Sequence, residues 1–263
     1  MLSPPFGSTP EWGHLAKEKI VRILSVIAHP DYAVLTIGGT LIKHAEAGDD
    51  LFVVSLSPGE LGIGSVLFPK VARSELVQLR TKELQTAGKI LGVQEVRILG
   101  MEDTAIENTA ALRATLADLI RELKPDMILS HWQQDAHPDL RNTGQAAADA
   151  NLPACLGYLK GKYPAHSAKK VYTFGMPSAI DFVPDVLIDV TSVIERKIEA
   201  ANSMESVRQE IVKLRYPDSP DKWTEFFLVQ NLYWGQEAGV RYAEAFKLVK
   251  APATRRAVAA LPF

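Results

Sequence analysis

At 263 residues, with 47% hydrophobic and 23% charged side chains, the chain has an ordinary globular composition and ample material for a core. A formal net charge of −2 supplies no field that would draw it to nucleic acid or an anionic membrane. The single cysteine, Cys155, rules out an internal disulfide and a zinc ribbon, and no run approaches the roughly 18 apolar residues of a membrane span.

The first nineteen residues carry three prolines and two glycines and are expected to form a loose arm before a single domain over 20–263. No apolar stretch follows a basic start there, so the expectation is a cytoplasmic protein without a secretory signal. "IVRILSVIA" (20–28) is a continuous apolar run, the mark of a buried parallel strand. "GGTLIKHAEAG" (38–48) reads as a helix and "LFVVSLS" (51–57) as a second buried strand. "ARSELVQLRTKELQTAGKILG" (72–92) sets Leu76, Leu79, Leu84, Ala87 and Leu91 near one helical face. Strand 96–99, helix 108–124 and strand 126–132 continue the alternation.

This order predicts a parallel sheet with right-handed crossovers, in which ligands sit beyond the C-terminal strand ends. "AHPDY", "SPGELG", "GMEDT" and "HWQQDAHPD" end the four strands in turn, so the polar clusters of the first half should share one rim. Further on, 171–175 and 186–191 read as strands, 192–205 and 222–239 as helices, and 241–250 as a strand returning to the sheet. Loops 62–71 and 202–222 are expected to shape specificity. Trp223, Phe226, Phe227, Tyr233 and Trp234 form an aromatic stripe that predicts core or a subunit interface, hence a homo-oligomer.

The chemistry concentrates in two segments. In "AHPD", Pro30 holds His29 extended, while Asp31 either caps the next helix or aims into a cleft with His29. In "HWQQDAHPDL", His131, Asp135, His137 and Asp139 would face that first motif if their strands are neighbours. A carboxylate beside an imidazole supplies a general base and acid, each tuned by the other's charge.

The stretch "AHPDYAVLTIGGTLIKHAEAGDDLFVVSLSPGELG" resembles the opening of the LmbE-like, or PIG-L, N-acetylglucosamine deacetylases. "DAHPDLRNTG" is similar to their second hallmark, Asp-x-His-Pro-Asp-His-Arg, and "YAEAF" (242–246) to a closing motif. The resemblance covers roughly residues 20–250 and implies a Rossmann-like, mostly parallel sheet with helices on both faces. It implies His29 as a zinc ligand, Asp31 as general base, His137 as oxyanion partner and Asp139 as the group that orients it. The other two ligand positions fall on Tyr32 and Leu140. Leucine cannot ligate and a neutral tyrosine is a poor ligand, so the resemblance implies an N-deacetylase whose metal site has changed.

Three outcomes follow: an unconventional metal held by His29 with Asp31, Asp135, Asp139 or His137; metal-independent chemistry, including a hydratase-like lyase acting on an unsaturated carboxylate; or a non-catalytic binding protein. The expected partner in each case is a small molecule. Glu60, Arg80, Asp103, His131, Asp135 and Tyr32 are candidate substrate contacts. Glu60 reads equally as a solvated loop residue, Arg80 as the partner of a nearby carboxylate and Asp103 as a helix cap. His14, His44 and His166 are expected at the surface, and Cys155 in the core.

Overall fold

The computed structural model describes residues 20–62, 71–175 and 179–249. The arm over 1–19 with His14, and most of the 62–71 loop, lie outside them. Seven strands form one sheet in the order β3-β2-β1-β4-β5-β7-β6. They are β1 (Arg22–Ile27), β2 (Asp50–Ser55), β3 (Glu95–Ile98), β4 (Met127–His131), β5 (Lys170–Phe174), β6 (Val186–Asp189) and β7 (Ala243–Leu248). The first five pair in parallel; β7 inserts antiparallel between β5 and β6.

The uninterrupted apolar run of β1 has its reason in this order, because the strand is buried on both faces. Ile23 and Ile27 enter one apolar cluster, and Leu24 and Val26 the other. The first cluster is closed by α1 (Tyr32–Leu35), α2 (Gly38–Glu46), α3 (Arg73–Leu91), α6 (Ile194–Asn202) and α8 (Trp223–Ala238). The second is closed by α4 (Ala110–Leu123) and α5 (Pro138–Cys155). Helix α3 stops at Gly92, whose φ of 81° is the left-handed conformation that ends helices. Helix α4 starts at Thr109, whose side chain accepts the Leu112 N–H.

Two motifs far apart in sequence meet in a buried polar latch. The Glu244 carboxylate on β7 accepts the N–H groups of Gly39 and Thr40 at 2.8 and 2.7 Å, satisfying the start of α2. Lys197 on α6 donates to Glu244 and to Asn231, both at 2.8 Å, and is fully buried. Gly39 is required because a Cβ there would lie 2.7 Å from Val190. This latch ties the Gly-Gly-Thr and Tyr-Ala-Glu segments together.

Several expectations need correction. Residues 202–222 are not an open loop: α7 (Glu205–Arg215) and a 3-10 turn (Pro220–Lys222) occupy most of the stretch. Cys155 is exposed, because it sits in the last turn of α5 while Ala154 takes the inward position. His44 and His166 are half-buried with partners, Asp49 at 2.7 Å and the Pro125 carbonyl at 2.8 Å. The aromatic stripe divides, with Trp223 and Phe227 in the core and Tyr233 exposed. Among the described residues no helix is long and apolar enough to cross a membrane.

Candidate active site

Strand order reverses between β1 and β4, and in open α/β sheets ligands bind at such a point, outside the carboxyl ends of the strands. His29 and Asp31 follow β1, and His131 ends β4 beside it. Helix α5 comes close to that strand end because Gly144 has no side chain; a Cβ there would lie 2.1 Å from the His131 carbonyl oxygen. The start of α5, with His137 and Asp139, is thereby brought over His29.

The centre of the site is a buried triad. His29 Nε2 lies 2.9 Å from Asp103 Oδ1 and 3.1 Å from Asp139 Oδ2. Burial alone would lower the His29 pKa, but the hydrogen bonds to Asp103 and Asp139 and the charges of Asp103 and Asp31 raise it to about 9. Burial pushes the two carboxyls up, and their contacts with His29 outweigh it and hold both below the usual range. Backbone donors fix each acid: Leu61 N–H on Asp103 at 2.8 Å, Thr104 and Ile106 N–H on Asp139 at 2.8 and 3.2 Å. Thr104 adopts φ 69°, a left-handed conformation that costs a non-glycine residue energy.

His137 caps α5, its Nδ1 accepting the Asp139 N–H at 3.2 Å. In the neutral ring that leaves the proton on Nε2, a donor available to a substrate oxygen. The His137 ring packs edge-on to His29, with centroids 5.4 Å apart. The His137 backbone N–H donates to Asp135 Oδ1 at 2.9 Å, so the buried Asp135 shapes the turn into α5.

The expected roles change at several positions. The Asp139 carboxylate faces His29 and the 104–106 backbone; His137 is oriented by the Asp139 amide instead. Asp103 caps no helix, since Thr109 does that for α4, and pairs with His29. His131 is unsuited to substrate: it is 1% exposed and its Nε2 accepts the Ala28 N–H at 2.9 Å. Burial, with the neighbouring His29 and His137 charges, drives its pKa well below normal, so the ring is neutral. Glu60 is buried and committed to Arg73, whose Nε lies 3.1 Å away. Arg80 is buried on α3 and pairs with Glu210 on α7 at 2.8 Å, not with a carboxylate of its own helix.

Tyr32 and Leu140 answer the metal question in part. Leu140 is 1% exposed within the second apolar cluster. The half-buried Tyr32 ring packs edge-on to His131 at 4.9 Å. Burial and the nearby carboxylates raise the Tyr32 pKa further, so the phenol stays neutral. A zinc ion therefore does not fit at the three positions carried over from the resemblance, because only His29 offers a donor suited to it.

The comparisons with known proteins agree with the architecture. A family model described as "PIG-L: GlcNAc-PI de-N-acetylase" matches residues 24–151. A diacetylchitobiose deacetylase of Thermococcus kodakarensis is 28% identical over 240 residues, 88% of this chain and 84% of that protein. A 4-oxalmesaconate hydratase of Pseudomonas putida is 31% identical over 189 residues, 69% and 72% of the two chains. The structure of N,N'-diacetylchitobiose deacetylase from Pyrococcus horikoshii, complexed with its inhibitor MPG, superposes with a TM-score of 0.74 at 25% identity, covering 87% of this chain and 83% of that one. With both histidine-aspartate motifs at adjacent strand ends and relatives matched over most of their length, the chain belongs to the PIG-L family.

Proposed function

We propose that the protein is an N-deacetylase that hydrolyses the acetamide of a small N-acetylated amino sugar, with its reaction centre at the ends of β1 and β4. The observation that carries this reading is the union of the two motifs at one strand-end rim, the His29 and His137 rings 5.4 Å apart with the Asp31 charge acting on His29. The chemistry is assigned to side chains of this chain. Asp31 removes a proton from water as its oxygen bonds to the acyl carbon. The developing oxyanion accepts a hydrogen bond from His137 Nε2. The proton held by Asp31 then passes to the nitrogen as the carbon–nitrogen bond breaks, giving acetate and a free amine. Asp139 anchors His29 and, through its amide, the His137 ring. The lone exposed Cys155 is compatible with a reducing cytoplasm, where we place the enzyme.

The resemblance to a hydratase supports a second chemistry at the same rim, in which the acid-base pair adds water across a carbon–carbon double bond. One assay separates the two. Purified protein is incubated with N,N'-diacetylchitobiose and N-acetylglucosamine derivatives, and in parallel with unsaturated dicarboxylic acids. The deacetylase reading expects acetate and free amine in equal amounts and no loss of double-bond absorbance. Loss of absorbance without acetate would overturn it in favour of hydration.

A further inference from the structure

We propose that His29, Asp103 and Asp139 form a binding site for one divalent transition-metal cation, with a ligand set different from the one the resemblance carries over. The three ligand atoms come from the segments that follow β1 and β3 and from the first turn of α5, and lie within 4.8 Å of one another. All three residues are buried, with exposures of 8%, 3% and 0%. Zinc held at 2.0–2.2 Å in tetrahedral geometry separates its ligands by roughly 3.3–3.6 Å. The observed 2.9 and 3.1 Å spacings to His29 Nε2 need to open by only a few tenths of an ångström.

Charge balance points the same way. Two buried carboxylates face one imidazole, so even a protonated His29 leaves the group one negative charge in excess, and Asp31 adds to that field. Arg80, whose charge Asp103 feels, is itself paired with Glu210. Buried net charge is costly, and a divalent cation with neutral imidazole and two carboxylates brings the group to zero. The outer shell is also built. Leu61 N–H holds the far oxygen of Asp103 and Ile106 N–H the far oxygen of Asp139, while Thr104 N–H shares Asp139 Oδ2, so both carboxylates are fixed toward His29 Nε2. One imidazole and two carboxylates leave coordination positions open for water or substrate, and the oxygen-rich set accepts manganese as well as zinc.

The inference shares its pocket with the deacetylase reading but not its chemistry. Stoichiometric metal uptake without acetate release would sink that reading alone, and acetate release by protein that takes up no metal would sink this one alone. Chelator-treated protein is titrated calorimetrically with zinc chloride and with manganese chloride, and crystals soaked in zinc are measured at the zinc absorption edge. The expected result is one ion per chain, an anomalous peak between His29 Nε2, Asp103 Oδ1 and Asp139 Oδ2, and a weakening of about a hundredfold or more in Asp103→Asn. Tyr32→Phe should bind as the parent does. If Asp103→Asn fails to fold, the anomalous map of the parent protein still decides. No stoichiometric uptake, a peak away from the triad, or undiminished binding by folded Asp103→Asn would overturn the proposal.

Discussion

Two of the buried charged clusters among the described residues, the latch and the rim, are built on opposite principles. At the latch, Lys197 meets Glu244, Asn231 accepts a second of the ammonium's bonds, and two helix-start amides donate to the carboxylate. Charges match, the members are 0–3% exposed, and the group joins α2, α6, α8 and β7. At the rim, His29 is outnumbered by Asp103 and Asp139, and the half-buried Asp31 and His137 lie at its mouth. A matched ion pair, hydrogen-bonded on both sides, is scaffold. An unmatched one beside an opening keeps electrostatic free energy in reserve for a ligand or a transition state.

The largest expected effect breaks the latch. Lys197→Met leaves Glu244 buried without its cation and should cost about 3–5 kcal/mol in urea unfolding, while acetate release per folded molecule stays unchanged. Next comes the rim. His137→Ala removes the proposed oxyanion donor and should lower kcat by about a hundredfold, or nearly 3 kcal/mol of barrier, while the lost α5 cap lowers the unfolding free energy by only about 1 kcal/mol.

A smaller effect sharpens the contrast between the two histidines at the β1–β4 strand ends. His131 has a folded pKa well below 6.5, so below that pH the unfolded chain binds a proton that the native protein refuses. Its contribution is fully present above pH 6.5 and is lost as the pH falls. Unfolding free energy should therefore drop by about 1.4 kcal/mol per pH unit between roughly pH 6 and 5, and His131→Gln should flatten that slope in denaturant titrations at stepped pH. Smallest is Thr109→Ala, which removes the α4 cap at a cost of about 1 kcal/mol, read by the urea midpoint, and leaves both clusters intact.

The rim was legible in the sequence because strand alternation fixes which loop lies at which end of a parallel sheet. Placing "AHPD" and "HPD" at strand ends was enough to bring His29, His137 and Asp139 together. Which atom faces which was not legible. Asp139 reaches His29 rather than His137 because the backbone at Thr104 and Ile106 turns its carboxylate that way, and a left-handed threonine leaves no mark in composition. His131 has the same residue type as its neighbours in the motif, yet strand pairing spends its lone pair on the Ala28 amide. The latch is hidden for a different reason: Lys197 lies at helical spacing from Ile194 and Ala201 on the buried face of α6, but nothing in the sequence pairs it with Glu244, 47 residues away on β7. Helix α7 carries an apolar face, Val207 with Ile211 and Val212, but at eleven residues the pattern is too short to stand out from the turns around it.

The claim that the rim does chemistry while the latch holds structure is tested most directly by Asp31→Asn, with acetate release and the urea midpoint measured on the same preparation. Release should fall by about a thousandfold with the midpoint unmoved, because a solvent-accessible base is lost and no packing with it. Release that persists in the folded variant, or that falls only in proportion to unfolded protein, would contradict the account.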